Sequence, residues 1–511
     1  MSRTAWRLRG DEMAAPSHAR PHEAAEHTPR RSVLARSLLQ VLVFAVVVRA
    51  VYIFGAWLVS GDSVFVGDDT GTYLEPAREL LRAGVFARHG QSELQRTPGY
   101  SLFLIPALLS GHLTLSVLLS HVVLSALTVL GTYVLACRLF GDSRVATLAA
   151  VFYAIEPFSI TSTAMIATET LYAAMAVWAL VLIVDYVRSD RVRDLLAGTA
   201  LLAIAAYVRP AGYYLPFALV AFLGAVVVAR RAWHRLPRLA LAAALGVAVV
   251  LPWHLRNRAL GYNGFSAAGG TIMYFANAAA VKAALARVPF TAMQTAMGNL
   301  DNERYLRLHP EQRDWRWGDR YTYMQREGAE IVRQNGALYA RIHVAGMVRV
   351  ALDPGALALL KPYGLYPSAG GLLNRMVTYG LPNAIAHLFR TNLLATLVVL
   401  LLGALLLAQY LLALRAVFTQ RRWLDPSVLV LVLSIVYFIV IAGGPIGYGR
   451  FRHPAMPLVC VLAAAGLYTT MARKRRGVGD APVAARASSE RSRPVPIGMS
   501  SAALGRGSET A

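Results

Sequence analysis

The sequence is dominated by long apolar blocks, many of them close to the 20 residues that a helix needs to cross a hydrocarbon core. Inside a bilayer every backbone amide and carbonyl needs an internal partner, and helices provide one within each segment. We therefore predict an all-α polytopic membrane protein with about ten transmembrane helices. The predicted spans are residues 38–59, 113–138, 144–160, 168–187, 194–208, 211–229, 237–255, 391–414, 427–443 and 453–472.

The basic residues lie mostly between these blocks and indicate the orientation. The chain carries 51 Lys and Arg against 28 Asp and Glu, a formal net charge of +23. Cytoplasmic loops of membrane proteins are enriched in Lys and Arg. The main arginine clusters lie on the cytoplasmic side of the membrane if the short apolar block 98–111 is interfacial or re-entrant and does not span the bilayer. We therefore predict a multi-pass protein of the cell membrane with both termini cytoplasmic, in contact with membrane lipids and not with nucleic acid.

This orientation divides the chain into membrane and extramembrane parts. No metal-ligand spacing or phosphate-binding loop is found in the long outer segment, and the two cysteines, Cys137 and Cys460, suggest no disulfide framework. The predicted parts are a disordered cytoplasmic tail (1–37), a transmembrane catalytic module (38–255) with its first outer loop (60–112), an outer segment (256–390), C-terminal transmembrane helices (391–472) and a second disordered cytoplasmic tail (473–511).

The first outer loop places two acids directly before a predicted surface helix. Asp68 and Asp69 precede Thr72 and Glu75, which have the spacing of a capping box. Tyr73 and the apolar residues that follow share one face, so the helix would lie on the membrane surface. From spacing alone, a solvated turn with two ordinary aspartates explains the pattern equally well.

Further charged residues lie at the outer ends of the spans. Arg96 stands before a Pro-Gly turn, where it would grip a phosphate or, alternatively, extend along the membrane surface. Glu169 begins a span, a position at which an acid is costly and more often functional. Arg209 occupies an outer turn, where it is a candidate to bind the carrier phosphate or, alternatively, would anchor to lipid headgroups. Arg450 and Arg452 break the positive-inside trend, and a phosphate headgroup is a natural partner for them.

Taken in order, these motifs resemble the GT-C fold glycosyltransferases, specifically the aminoarabinose-transferase-like and protein-mannosyltransferase-like (glycosyltransferase family 39-like) branch. An acid stands four residues before Tyr73, a basic residue precedes a proline turn, and an acid follows the third span. An Arg-Pro turn, Pro-Trp-x-x-Arg-Asn at 252–257, a large outer loop and Arg-x-Arg-His-Pro before the last span complete the pattern. The resemblance covers residues from about 38 to 258 and from 427 to 472.

The resemblance implies a role for each motif. Asp69 matches the catalytic acid of the first loop, and Asp68 would replace the acid that follows it in some relatives. Arg96 matches the residue that contacts the carrier phosphate, although Thr97-Pro98 stands here where relatives usually have two prolines. Glu169 matches a second acid. A divalent metal, where relatives use one, would be held by Asp69 and Glu169.

The implied reaction moves a sugar from a polyprenyl-phosphate-linked donor to a lipid, glycan or protein acceptor on the outer face of the membrane. A carboxylate would act as general base in an inverting transfer, and Arg96, with Arg450 or Arg452, would stabilise the leaving phosphate. Two other functions stay open. A transporter or flippase would need ionisable residues near the bilayer midplane, and a surface-glycan polymerase or ligase would differ in the length of its product.

Overall fold

The computed structural model describes residues 27–365, 382, 383, 386 and 393–479. The described residues up to Gly466 belong to one compact unit, and those of the last helix from Leu467 onward belong to a second. The predicted tails lie largely outside the described residues. Where they are described they continue helices, since the first helix begins at His27 and the last ends at Gly479.

Helices make up nearly all regular structure in the described part of the chain. The α-helices are α1 (His27–Ser60), α2 (Thr70–Ala83), α3 (Pro98–Leu109), α4 (Leu113–Phe140), α5 (Ser143–Ala154), α6 (Pro157–Thr161), α7 (Glu169–Ser189), α8 (Val192–Val208), α9 (Leu215–Ala229), α10 (Leu236–Ala259), α11 (Ala268–Ile272), α12 (Ala279–Ala286), α13 (Phe290–Ala296), α14 (Asn302–Leu308), α15 (Trp317–Gln334), α16 (Gly336–Leu352), α17 (Ala356–Leu360), α18 (Leu393–Phe418), α19 (Pro426–Ile441) and α20 (Met456–Gly479).

Short turns of other helix types connect these elements. The 3₁₀ turns are Asp62–Phe65, Ser162–Ala164, Pro210–Gly212, Trp233–Arg235, Pro310–Gln312, Lys361–Tyr363, Thr419–Leu424 and Gly449–Ala455, and a π-helical turn, Met273–Ala278, joins α11 to α12. Strands β1 (Ala87–Arg88) and β2 (Gln91–Ser92) form an antiparallel hairpin in which Ala87 pairs with Ser92. The prediction of an all-α membrane protein is confirmed.

Seven helical segments in the described residues are long and apolar enough to cross a membrane. They are Arg36–Ser60, Leu113–Phe140, Glu169–Ser189, Pro210–Ala229, Trp233–Ala259, Leu393–Phe418 and Gly449–Met471. Two bent pairs raise the number to nine if each pair forms one span. The predicted span 194–208 falls in α8, which has 17 residues, and 427–443 falls in α19, which has 16. Block 98–111, which we expected not to span, forms the 12-residue helix α3.

Both bends occur where a helix stops and restarts within a few residues. α5 meets the segment Pro157–Ala164 at 62°, and α16 meets the segment Ala356–Tyr363 at 52°. The first break precedes Pro157, which cannot donate a backbone hydrogen bond. Buried arginines donate hydrogen bonds to the backbone carbonyls at the ends of the broken helices. Arg49 donates to the carbonyl of Ala154 at 3.0 Å, and Arg452 donates to that of Val350 at 2.8 Å.

Close packing places α3 against the bundle. Gly99 lies so near α8 that an added Cβ would come within 2.6 Å of the Tyr207 carbonyl carbon. The loop carrying Arg96 is therefore fixed at the end of α8. A core of small and aromatic residues, including Ala150, Tyr153 and Cys460, packs α5 against the last helix.

Helix α2 begins at Thr70 rather than at the predicted Thr72, so the expected capping box does not form. Asp69 occupies the N-cap position, yet its side chain accepts no capping hydrogen bond. The Thr72 hydroxyl instead donates to the Asp69 carbonyl at 2.6 Å. Because the carboxylate of Asp69 is not used to cap the helix, it is available to contact other parts of the chain.

Candidate active site

The carboxylate of Asp69 lies between two arginines that are far from it in sequence. Arg96 Nη2 approaches Asp69 Oδ1 to 2.5 Å, and Arg450 Nη2 approaches Oδ2 to 3.0 Å. Burial alone would raise the pKa of the Asp69 carboxyl, but the charges and hydrogen bonds of the two guanidinium groups outweigh burial and lower the pKa below its ordinary value. Asp69 is therefore a carboxylate near neutral pH.

A second acid shares one of these arginines. Arg450 Nε lies 3.0 Å from Glu169 Oε1, and Arg209 Nη1 lies 2.9 Å from the same oxygen. Arg450 thus bridges the two acids, while three guanidinium groups face two carboxylates. With Asp68, Asp353 and Lys361, which line the adjoining cleft, the acids and cations number four each, so an anionic ligand would be bound by individual guanidinium groups rather than by a net positive charge.

Aromatic rings contact the guanidinium groups of these arginines. The Arg96 guanidinium lies 4.8 Å from the Tyr73 ring centroid and donates to the Tyr73 hydroxyl at 3.2 Å. Arg450 lies over the ring of Tyr448, and Phe451 contacts both Arg450 and Arg209. Such cation–π contacts limit where each guanidinium group can move.

Asp69, Glu169 and Arg450 line a cleft of about 630 Å³, whereas Arg96 and Arg209 contact these carboxylates but are not among the lining residues. The Asp69 side chain is 36% exposed and the Glu169 side chain 4% exposed. A molecule in the cleft would therefore meet Asp69 directly, whereas Glu169 is covered by its arginine partners. The cleft lining also includes the cation of Lys361 and apolar residues, among them Val64, Val66, Ala164, Met165 and Leu357.

The structure brings together five of the seven residues singled out in the sequence: Asp69, Arg96, Glu169, Arg209 and Arg450. Asp68 lines the same cleft but forms no ion pair among the described residues. Arg452 turns away into the bundle, is 1% exposed, and bonds to the carbonyls of Val350 and Ala351.

Sequence reasoning missed three residues of the cleft. Tyr448 was visible only as part of a motif, and burial raises the pKa of its hydroxyl to about 12. Asp353 lines the cleft and accepts hydrogen bonds from the amides of Gly355 and Gly449, so it connects the helix break to the turn that carries Arg450. Lys361 lies just beyond that break. Neither Asp353 nor Lys361 stands in a motif that would have distinguished it within the long outer segment.

The two acids are poorly arranged for a metal ion. Each carboxylate faces guanidinium groups, and Arg450 lies between them. Within the described ranges, no group of three or more His, Cys, Asp or Glu side chains is placed to hold a metal. The predicted pair of metal ligands therefore does not fit a divalent cation as it is arranged here, and no step is assigned to one.

Comparison with known proteins supports the resemblance seen in the sequence. Residues 98–255 match the family model of the dolichyl-phosphate-mannose-protein mannosyltransferases. The matched region begins at α3 and includes Glu169 and Arg209. This match confirms the similarity to polyprenyl-phosphate-dependent transferases and indicates a glycosyltransferase. No curated protein matches the chain significantly.

Solved structures of two such enzymes are similar to this chain at 15% sequence identity. The archaeal oligosaccharyltransferase AglB from Archaeoglobus fulgidus, in complex with an inhibitory peptide and a dolichol-phosphate, gives a TM-score of 0.46 over 87% of this chain. ArnT from Cupriavidus metallidurans gives 0.43 when bound to undecaprenyl phosphate and 0.35 in the apo state, each over 84% of this chain. The matches cover 52% of AglB and 60% and 76% of the two ArnT chains.

Proposed function

We propose that this protein transfers a sugar from a polyprenyl-phosphate-linked donor to a lipid, glycan or protein acceptor on the outer face of the membrane. The observation that carries the proposal is the Asp69 carboxylate held between Arg96 and Arg450 at the edge of a cleft. A base and two phosphate-binding groups are then within reach of one substrate. The family-model match supports the same class of reaction.

The donor would be bound through its phosphate and its prenyl chain. Arg96 and Arg450 would hold the phosphate oxygens, since guanidinium groups bind them bidentately. Lys361 is a further cation in the cleft. Apolar residues of the cleft lining, such as Val64 and Leu357, would contact the prenyl chain.

Asp69 would act as general base in a single displacement. The acceptor hydroxyl oxygen forms a bond to the anomeric carbon while the bond from that carbon to the phosphate oxygen breaks. The hydroxyl proton passes to Asp69, and the electron pair of the broken bond leaves with the phosphate, which gains one negative charge. A single displacement inverts the anomeric carbon. The arginines stabilise the growing charge, an effect that often contributes most to catalysis.

Binding of the donor would also make the Asp69 carboxylate a stronger base. Arg96 and Arg450 lower the pKa of Asp69 while they contact it. A phosphate that competes for the same guanidinium groups weakens both contacts and raises the proton affinity of the carboxylate. Glu169, paired to Arg209, would keep Arg450 in place during this exchange.

The test is sugar transfer by purified, reconstituted protein from a panel of polyprenyl-phosphate sugars, with and without a chelator. We expect Asp69→Asn to lose at least about 100-fold in turnover, the lower range for a lost general base. Asp68→Asn should retain most activity, because Asp68 contacts neither arginine. The matched control is Glu330→Gln, which removes an exposed acid from α15.

Normal turnover in Asp69→Asn would overturn the mechanism. Absence of transfer by wild type from every donor would overturn the proposed function. Uptake of labelled substrate into sealed vesicles would then support a transporter, and long glycan products would support a polymerase or ligase.

A further inference from the structure

A second charged recess lies at the other end of α7 from Glu169. The helix rise of 1.5 Å per residue places Arg188 about 28 Å along the axis from Glu169, close to the thickness of a hydrocarbon core. The recess has a volume of about 340 Å³ and is lined by Cys137, Arg138, Asp185, Arg188, Ser189 and Arg191. The recess therefore lies at the opposite end of α7 from Glu169.

Positive charge exceeds negative charge in this recess. Three arginines line it, and within the part of the chain that the structure describes Asp185 is its one lining carboxylate. Asp185 Oδ1 contacts Arg138 through Nε at 3.0 Å. Of the neighbouring acids, Asp190 contacts Arg235 at 3.3 Å and Arg238 at 3.0 Å, and Asp194 contacts Arg193 at 3.6 Å.

Hydrogen bonds fix two of the three arginines without using all their donors. Arg188 donates one Nη2 bond to the carbonyl of Leu139 at 2.9 Å, which ties the end of α7 to the end of α4. The Nε contact of Arg138 with Asp185 anchors its side chain in the same way. A guanidinium group has five N–H donors. Anchored arginines with remaining donors are a preorganised site for phosphate oxygens.

We propose that this recess binds the phosphate headgroup of an anionic membrane phospholipid. It lies where the headgroups of the leaflet facing away from the cleft would be found, between the ends of α4 and α7. Basic pockets between transmembrane helices are suited to such headgroups. The site is separate from the sugar-transfer cleft, and its function does not depend on the proposed reaction.

Lipid binding to the full-length protein in neutral detergent tests this proposal. Fluorescent phosphatidylglycerol and phosphatidylcholine would be titrated against wild type and the triple variant Arg138→Gln, Arg188→Gln, Arg191→Gln. The control triple variant, Arg304→Gln, Arg326→Gln, Arg333→Gln, removes three exposed arginines from α14 and α15. Unfolding midpoints without lipid verify that each variant is folded.

We expect phosphatidylglycerol to bind wild type more tightly than phosphatidylcholine. Each arginine removed from the recess should weaken phosphatidylglycerol binding about fivefold, from roughly 1 kcal/mol per basic residue near an anionic surface. If the triple variant proves unstable, Arg188→Gln alone and Arg191→Gln alone provide the same comparison.

Three results would overturn the proposal: equal binding of the two lipids, equal losses in the two triple variants, or unchanged phosphatidylglycerol affinity in the recess variants. Competition by inorganic phosphate or glycerol phosphate at concentrations comparable to the lipid would assign the recess to a soluble anion instead.

Discussion

At the scale of single residues, Arg450 connects the two acids of the cleft, because its guanidinium group contacts both. Its Nη2 meets Asp69 and its Nε meets Glu169, each at 3.0 Å. In the proposed mechanism the same guanidinium group must also meet the donor phosphate. Without donor, the guanidinium groups stabilise the ionised form of Asp69, which is therefore a weak base. With donor bound, the same groups also contact the phosphate, and they stabilise the Asp69 carboxylate less.

The pH dependence of transfer in Arg96→Gln tests this arrangement. Removing one cation while burial is unchanged should raise the pKa of Asp69. A carboxylate with a depressed pKa stays ionised until the pH falls through that lower value. The acid limb of kcat/KM, which reports on the free enzyme, should therefore move to higher pH in the variant than in wild type. Arg333→Gln is the control, and an acid limb that stays in place would contradict the assignment of Asp69.

At the scale of elements, the turn Gly449–Ala455 explains why neighbouring arginines have different surroundings. In a 3₁₀ turn, residues two apart lie roughly a third of a turn from each other around the axis. Arg450 therefore faces the cleft and Arg452 faces the bundle. The turn is held by the bond from the Gly449 amide to Asp353 and by the bonds from Arg452 to the end of α16.

Substitution of Arg452 tests whether this residue holds Arg450 in position or binds the carrier phosphate itself. Arg452→Gln should leave the carbonyls at the end of α16 without their donor, at a cost of about 1–3 kcal/mol for each buried group left unsatisfied. We expect a lower unfolding midpoint and a lower kcat, because Arg450 is no longer held. The KM for the donor should change little. A raised KM with unchanged kcat and stability would instead assign Arg452 to the phosphate.

At the scale of the whole molecule, the site is assembled from segments that are distant in sequence. The apolar blocks predict a helical membrane protein, and the charges at the ends of those blocks indicate where chemistry is possible. The order of motifs predicted that Asp69 and Arg96 belong to one site, as the catalytic acid and the residue that contacts the carrier phosphate. It did not predict that Arg450 would bridge both acids or that Lys361 would reach the cleft, since both depend on a helix break and a turn that periodicity does not reveal.

Because distant segments meet in one site, a ligand of that site should stabilise the entire fold. Polyprenyl phosphate should raise the unfolding midpoint of wild type, with a gain of about 2.7 kcal/mol in the free energy of unfolding at 100 times its Kd. The uncharged polyprenol of equal length is the ligand control, since it keeps the chain and removes the phosphate. In Arg450→Gln the increase should be much smaller, because one guanidinium that holds the phosphate is gone. Equal increases with phosphate and polyprenol, or in wild type and Arg450→Gln, would show that the arginines do not bind the carrier phosphate.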